Sequence, residues 1–430
     1  MTTESPQSVL FVVTVKGAEM AIIKPFKCIR PNQESADAVA ALPYDVYNRE
    51  EAKAAVAGKP LSFLNIDRAE TQFDNDIDIY SDEVYDKAKE LLEKEIADKI
   101  FVTDGEEAYY IYELTMDGRS QTGIVACASI DDYLSNRIKK HEKTRAEKEL
   151  DRIRHVDLTG AQTGPIFLAY RSDDTINEIV AAVRENTPLY DFVSEDSIRH
   201  TVWKIGDAKD IDAIRSAFES INSIYIADGH HRAASAVKVG LRRREANPGY
   251  DGSEEFNYFL SVLFPDDQLM IMPYNRVVKD LNGLTEDEFL EGIAKYFTVE
   301  EKGRRALYPE RKGSFGMYLE GTWYLLTAKE CIMSEDPVDG LDVAILQDYL
   351  LTPVLGITDP RVDKRIDFIG GIRGLEELER RADSDMKVAF SMYPTSIDEL
   401  FGVADADMLM PPKSTWFEPK LRSGLFIHRI

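Results

Sequence analysis

The stretch SIYIADGHHRAASAV, Ser223 to Val237, decides how the chain is read. Its first half, Ile224 to Ala227, is a short apolar run with the β-branched and aromatic bias of a buried strand. From Ala233 onward it is rich in small residues and reads as a helix. Between the two stand Asp228, Gly229, His230, His231 and Arg232. A glycine at such a junction lets the backbone turn tightly and lets a ligand come close. The first N–H groups of the helix have no partner within it, so the turn offers an anion site. His230, His231 and Arg232 add donors to that site. Asp228, at the strand end, is placed to accept a substrate hydroxyl or a metal-bound water. The plainer reading is a helix capped by Asp228 with two surface histidines. Two of the chain's six histidines side by side, next to an arginine, favour chemistry instead. One zinc held by both is disfavoured, because neighbouring helical residues point in different directions.

Outward from this junction the pattern alternates. HTVWKI is a strand and 207–220 a helix before it; PIFLAY is a strand and 173–185 a helix before those. AYYIYEL and TGIVACASI flank TMDGRSQ, a β-hairpin with Asp117-Gly118 in its turn. Residues 80–99 form an amphipathic helix. FNYFLSVLF, LMIMPYNRVV, GSFGMYL, TWYLLTA and KVAFSMY read as strands, and 285–296, DVAILQDYLL and SIDELFGVADA as helices. This is an α/β chain, and the hairpins make it α+β in part, with mixed rather than wholly parallel sheets. The Gly-, Pro- and acid-rich segment 246–255 marks a boundary. It separates a first α/β domain, 20–245, from a second α/β domain, 256–430. No repeat or low-complexity tract interrupts either.

The 430 residues carry 77 acidic and 52 basic side chains, a formal charge of −25. Such a balance argues against nucleic-acid or anionic-membrane partners and leaves room for one small basic pocket that takes a small-molecule substrate. No apolar run approaches the ~18–20 residues of a membrane span. Cys28, Cys127 and Cys331 lie far apart, which argues against a disulfide framework or a cysteine zinc site and fits a reducing cytoplasm. The first 19 residues hold VLFVVTV, short for a signal peptide core and preceded by no Lys or Arg. They read as an edge strand, a tail, or a non-native extension ahead of a true start at Met20. Lys16-Gly17-Ala18-Glu19 permits a purine-rich ribosome-binding sequence in the codons before it.

Three further segments carry candidate chemistry. Lys139-Lys140-His141-Glu142-Lys143-Thr144 sets a glutamate among cations, where a general base keeps its charge. The same run also reads as a solvated charged helix. Leu42-Pro43-Tyr44-Asp45-Val46-Tyr47 offers Asp45 as a substrate contact or as a helix cap. Pro411-Pro412-Lys413-Ser414-Thr415-Trp416-Phe417-Glu418-Pro419-Lys420 supplies in its Lys-Ser-Thr a cation and two hydroxyls suited to phosphate, without the glycines of a P-loop. It reads equally as a C-terminal strand tucked in by Trp416 and Phe417. Arg276 and Arg373 are additional candidate anion contacts.

In their order, IIKPFKCIRP, LPYDVY, KKHEKT, YIADGHHR, LMIMPYNR and PPKSTWFEPK resemble DUF1015, a bacterial and archaeal family. One departure is Asn275, where the family pattern has His before the arginine. More distantly, IKKHE and IADGHHR are similar to the two signature segments of the ParB/sulfiredoxin-like superfamily, which includes free-serine kinases. That resemblance implies a ParB-like core with insertions. It implies Glu142 as the base that takes a serine hydroxyl proton, Asp228 holding that hydroxyl, and Gly229, His230, His231 and Arg232 cradling the transferring phosphate. Glu142, Asp228 and His231 are thus the candidate catalytic residues. Gly229, His230, Arg232, Lys413, Ser414 and Thr415 are expected to bind phosphate or nucleotide, and Asp45, His141 and Arg276 to contact substrate. The C-terminal half is expected to close over the pocket and bring Lys413 to it.

The expected activity is small-molecule phosphoryl transfer, with L-serine and O-phosphoserine as the leading pair in either direction. Mg²⁺ and ATP or ADP are the expected cofactors, with no ligand set assigned to a metal. The alternative is a non-catalytic nucleotide- or amino-acid-binding regulatory protein. A sulfiredoxin-like reductase would need a cysteine at the DGHHR turn, and a ParB-like DNA switch a basic helix-turn-helix; the chain has neither.

Overall fold

The computed structural model describes residues 21–144 and 146–430. The reading of the first 19 residues lies outside the described residues.

Nine strands form the larger sheet: Ile23–Lys24 (β1), Tyr109–Met116 (β2), Arg119–Ser129 (β3), Ile138–Lys139 (β4), Ile166–Tyr170 (β5), Tyr190–Val193 (β6), Arg199–Ile205 (β7), Ile224–Asp228 (β8) and Tyr258–Pro265 (β9). Their order is β4-β8-β5-β9-β3-β2-β7-β6, with β1 on β3. Two pairings are parallel, β4 with β8 and β5 with β9; the others are antiparallel. The β2–β3 hairpin turns at Asp117 and Gly118, both at positive φ (50° and 79°). That geometry matches the twist of the flanking strands and is the reason for an Asp-Gly pair there.

One face of this sheet is covered by the helices Asp174–Arg184 (α1), Ala208–Ser220 (α2) and His230–Ala246 (α3), through Ile176, Ile214, Phe218, Ala236 and Val237. The other face, with Tyr112, Phe167 and Val262, shares a continuous apolar core with the C-terminal half. Tyr225 stacks there on Phe401, ring centroids 3.7 Å apart. The second sheet is antiparallel throughout: Tyr274–Val278 (β10), Phe297–Gly303 (β11), Ser314–Leu319 (β12), Thr322–Ala328 (β13), Ile366–Gly370 (β14) and Val388–Met392 (β15), in the order β11-β13-β12-β15-β10-β14.

The boundary expected at 246–255 is corrected by β9. This strand lies after that segment yet sits inside the first sheet, between β5 and β3. The Gly- and Pro-rich stretch is a surface connection from α3 back into the sheet, and its composition reports solvent exposure rather than a domain edge. The last residues also return to the first unit. Ser423 bridges Ala41, Ile427 bridges Ile29, and His428–Arg429 pairs with Ala161–Gln162. The chain therefore crosses between the two sheets once outward and once back.

Helix α3 is held close by its small residues. A Cβ on Gly240 would stand 2.4 Å from the Phe256 carbonyl oxygen and 2.9 Å from Ile130 Cδ1. By helix propensity alone, alanine at this position would gain about 1 kcal/mol. Overpacking against backbone costs about 1–3 kcal/mol. Gly240→Ala is therefore expected to lower the unfolding midpoint in denaturant titration. A higher midpoint would show that α3 has room to move.

Candidate active site

Parallel pairing of β4 with β8 explains how two segments distant in sequence meet. Ile138 and Lys139 lie opposite Ile224 and Tyr225, so both strands present their carboxyl ends on the same side. Open sheets containing parallel strands bind ligands at that end. Beyond β4 the chain continues into Lys140, His141 and Glu142. Beyond β8 it enters the DGHHR turn. A register shift between Ile226 and Asp228 bulges the end of β8, and such a bulge re-aims a side chain. Gly229 follows at φ 94° as the helix N-cap, and its N–H donates to Asp228 Oδ1 at 2.9 Å. A left-handed conformation at the turn is what the glycine supplies.

These strand ends open on a cavity of about 390 Å³ between the two sheets. It is lined by Asp45, His141, Glu142, Asp228, Lys413, Ser414 and Thr415, so all four candidate segments reach it. The second sheet adds Tyr274 from β10, Asp367 to Gly370 from β14, and then Arg373 and Arg381. Trp416 crosses Tyr274 edge-on at 4.9 Å, and a Cβ on Gly370 would fall 2.8 Å from its ring. Glycine at 370 is what lets the indole lie on the strand.

The charges inside are tightly interlocked. Lys420 Nζ lies 3.3 Å from Asp228 Oδ2, and Arg232 Nη2 lies 3.8 Å from the same oxygen. Burial pushes the Asp228 carboxyl upward, but Lys420 and then Arg232 more than offset this and hold it well below the usual carboxylate range. Its side chain is still 36% exposed, into the cavity. The His141 and His230 rings meet edge to face at 4.5 Å. The His141 backbone N–H points at His230 Nε2 at 3.5 Å, and His230 Nδ1 stands 3.9 Å from Glu142 Oε2. Burial holds both imidazoles neutral. His141 is pushed down to about 4, with Asp228 partly opposing, and His230 falls well below its ordinary value, with His141 adding to the effect of burial. Burial also works against the Lys413 ammonium, but Tyr274 and then Glu142 and Asp45 raise its pKa above the ordinary value.

Several expected contacts lie elsewhere. Arg276 is buried behind the wall, where Nη2 donates to the Lys413 carbonyl at 3.0 Å and Nη1 to the Tyr274 carbonyl. Burial pulls it down to about 10. It shapes the loop that carries Lys413 and does not line the cavity. Arg232 lines a separate chamber of about 30 Å³ with Tyr44, Arg152 and His155. Gly229 and His230 stand behind Asp228 and Glu142 rather than on the cavity surface, and His231 is half-buried near Glu149. Ser414 lines the cavity, but its hydroxyl donates to the Pro411 carbonyl at 2.6 Å. Lys420, Asp367 and Arg381 were not singled out in the sequence. Lys420 stands within the segment PPKSTWFEPK, seven residues after Lys413, so its signal was present; nothing local distinguishes Asp367 or Arg381. Among the described residues no three His, Cys, Asp or Glu side chains assemble a metal site. None of the described helices is long and apolar enough to cross a membrane.

The family model that matches residues 23–344 is that of a protein family of unknown function, DUF1015. The chain belongs to the DUF1015 family. No curated protein matches it. Among solved structures, a free serine kinase in complex with AMP is 14% identical, over 70% of this chain and 91% of that one, with a TM-score of 0.33. A conserved hypothetical protein from Pyrococcus furiosus is 13% identical over 71% and 94%, with a TM-score of 0.34. A C-terminally truncated SbnI from Staphylococcus aureus is 10% identical over 69% and 85%, with a TM-score of 0.38. Scores this low say nothing of shared chemistry. In this DUF1015 chain the segment that brings Lys413 and Lys420 to the cavity lies beyond the matched span.

Two neutral buried imidazoles and a depressed carboxyl set the sign of a pH effect. The unfolded chain protonates its histidines near pH 6.5, as model peptides do, whereas folded His141 resists until about pH 4. Across that window the unfolded state binds more protons, so stability falls as pH falls. Asp228 adds a loss of the same sign at still lower pH. Buried carboxyls pushed upward, Glu95, Asp132 and Asp342, act in the opposite sense over the same range, so the histidine contribution is read as a difference. The gap in thermal midpoint between the native chain and His141→Gln is expected to change steadily in favour of His141→Gln from pH 7 to pH 4.5. A gap that does not change with pH would contradict neutral burial.

Proposed function

We propose that this protein is a small-molecule phosphotransferase that uses a nucleotide donor, with free L-serine as its leading acceptor and the reverse reaction open to the same site. The observation that carries the reading is the convergence of Glu142 and Asp228, from the ends of two parallel strands, with Arg373, Arg381, Lys413 and Lys420 on one cavity. Four cations stand there against four carboxylates, in a chain of net charge −25. The cavity volume suits a small ligand. Phosphoryl transfer asks little covalent work of a protein; it needs positioning and neutralised charge.

In this reading the acceptor hydroxyl lies between Glu142 and Asp228. Its oxygen attacks the terminal phosphorus of the donor, and the bond from that phosphorus to the donor's bridging oxygen breaks. The hydroxyl proton passes to a Glu142 carboxylate oxygen, and the leaving phosphate keeps the electron pair. The hydroxyl's single hydrogen points at Glu142 before transfer, and Asp228 orients the acceptor from the other side. Tyr274, Phe368 and Trp416 give the cavity an aromatic side on which a base can rest. The cavity carboxylates Asp45 and Asp367 would hold a magnesium ion brought in with the donor's phosphates, hard oxygen ligands of the kind that ion takes. When bound it neutralises phosphate charge.

One observation favours the regulatory alternative. Asp228 is already ion-paired with Lys420, as a site built only to bind would keep it. Phosphorus NMR of the protein with Mg²⁺, L-serine and ATP, ADP or pyrophosphate separates the two. O-phosphoserine is expected with the native protein, and Glu142→Gln is expected to slow its formation about 10²–10⁴-fold. No transfer from any donor, with nucleotide still raising the thermal midpoint, would leave the regulatory protein.

A further inference from the structure

The turn's own arginine is not available to a ligand in the main cavity. Arg232 Nη1 donates to the Pro165 carbonyl at 2.6 Å. Its guanidinium lies under Gly229, where a Cβ would fall 3.0 Å from Nη2 and 3.1 Å from Cζ. The side chain also passes Gly164, whose Cβ position would be 3.6 Å from Arg232 Cδ. Two glycines thus make room for an arginine that faces the small chamber.

Within the main cavity the cation nearest Asp228 is Lys420. Its ammonium stands 4.8 Å from the centre of the Trp416 ring, and its side chain is 14% exposed. Trp416 is itself fixed, with Nε1 donating to Glu418 Oε1 at 2.8 Å. A lysine ammonium has three donors and accepts nothing. One donor serves Asp228, which leaves capacity for an oxygen in the cavity that Lys420 lines. The neighbouring cations are differently engaged. Arg381 pairs with Asp367 at 3.0 Å and with Asp385 at 2.8 Å. The Lys413 ammonium lies over the Tyr274 ring, 5.2 Å from its centre.

The geometry points to Lys420 as the residue that binds a terminal phosphoryl oxygen of a nucleoside polyphosphate and bridges it to Asp228, in the role that Arg232 cannot fill. The assignment rests on the reading of the cavity as phosphate-handling. It gives the C-terminal segment a direct part in the chemistry: one ammonium touches both the group that orients the acceptor and the group that is transferred. A compact point charge suits this task better than a planar fork, because it reaches two acceptors in different directions.

Calorimetric titration of the full chain with pyrophosphate, ATP and adenosine tests it. Lys420→Met is expected to weaken pyrophosphate and ATP binding more than about tenfold, leaving adenosine within about twofold, and Lys420→Arg to keep only part of the affinity, since its planar fork reaches two divergent acceptors less well. Because Lys420→Met strands the Asp228 charge, a second variant combines it with Asp228→Asn. Pyrophosphate affinity is expected to stay low in that double variant, since the missing donor is not replaced. Recovery of native affinity there would make Lys420 a structural counter-ion and overturn the assignment. Unchanged pyrophosphate affinity in Lys420→Met would do the same, as would a native chain that binds neither pyrophosphate nor ATP. The titration reads binding without turnover. Loss of affinity in Lys420→Met together with no phosphoryl transfer would therefore keep Lys420 as a phosphate ligand and remove the kinase.

Discussion

Lys420 Nζ meets Asp228 Oδ2 at 3.3 Å across 192 residues of chain, and the site exists because that contact closes it. Asp228 stands at the bulged end of β8 in the first sheet. Lys420 comes from the segment returning from the second. Trp416, seated on the glycine that ends β14, lies beside the Lys420 ammonium. Removing one partner of a buried ion pair costs about 3–5 kcal/mol, much of it from the charge left behind. Asp228 is only partly shielded, so its share lies toward the low end of that range. Even so, the pair couples strand, aromatic wall and C-terminal segment.

The electrostatics follow from this closure. Four cations, Arg373, Arg381, Lys413 and Lys420, face four carboxylates, Asp45, Glu142, Asp228 and Asp367, around one cavity. The lining is near balance while the chain as a whole is strongly acidic. An acidic exterior repels phosphate at long range, so affinity has to come from short, partly desolvated contacts. The neutral His141 and His230 fit that arrangement. As imidazolium ions they would upset the balance beside Glu142 and Lys140, and burial prevents it. Arg276 spends its donors on the Tyr274 and Lys413 carbonyls. It fixes the shape of the wall rather than its charge.

What could be read from the amino acids divides along a physical line. The Asp117-Gly118 hairpin, the strand-to-helix turn at Gly229 and the alternating elements around it are local, encoded by backbone conformations that few residues accept. The convergence of Asp45, Glu142, Asp228 and Lys413 was legible because each stands in a distinctive segment. The assignment of β9 to the first sheet was not legible, since a strand pairs by register with partners 95 to 139 residues away and its flanking loop resembles any exposed connection. Nor was the fate of Arg232 and Arg276. A side chain's type states that it can donate, while the carbonyl that takes the donation is a tertiary matter. Lys420 shows the converse: a lysine between Pro419 and Leu421 gains meaning only once Asp228 is found opposite it.

A crystal structure of the chain with a non-hydrolysable ATP analogue tests the central claim most directly. The account requires the terminal phosphate to lie between Lys420 and Glu142, with the base on the side of Tyr274, Phe368 and Trp416. Phosphates bound against Arg232 in the smaller chamber, or a nucleotide bound away from the ends of β4 and β8, would contradict it.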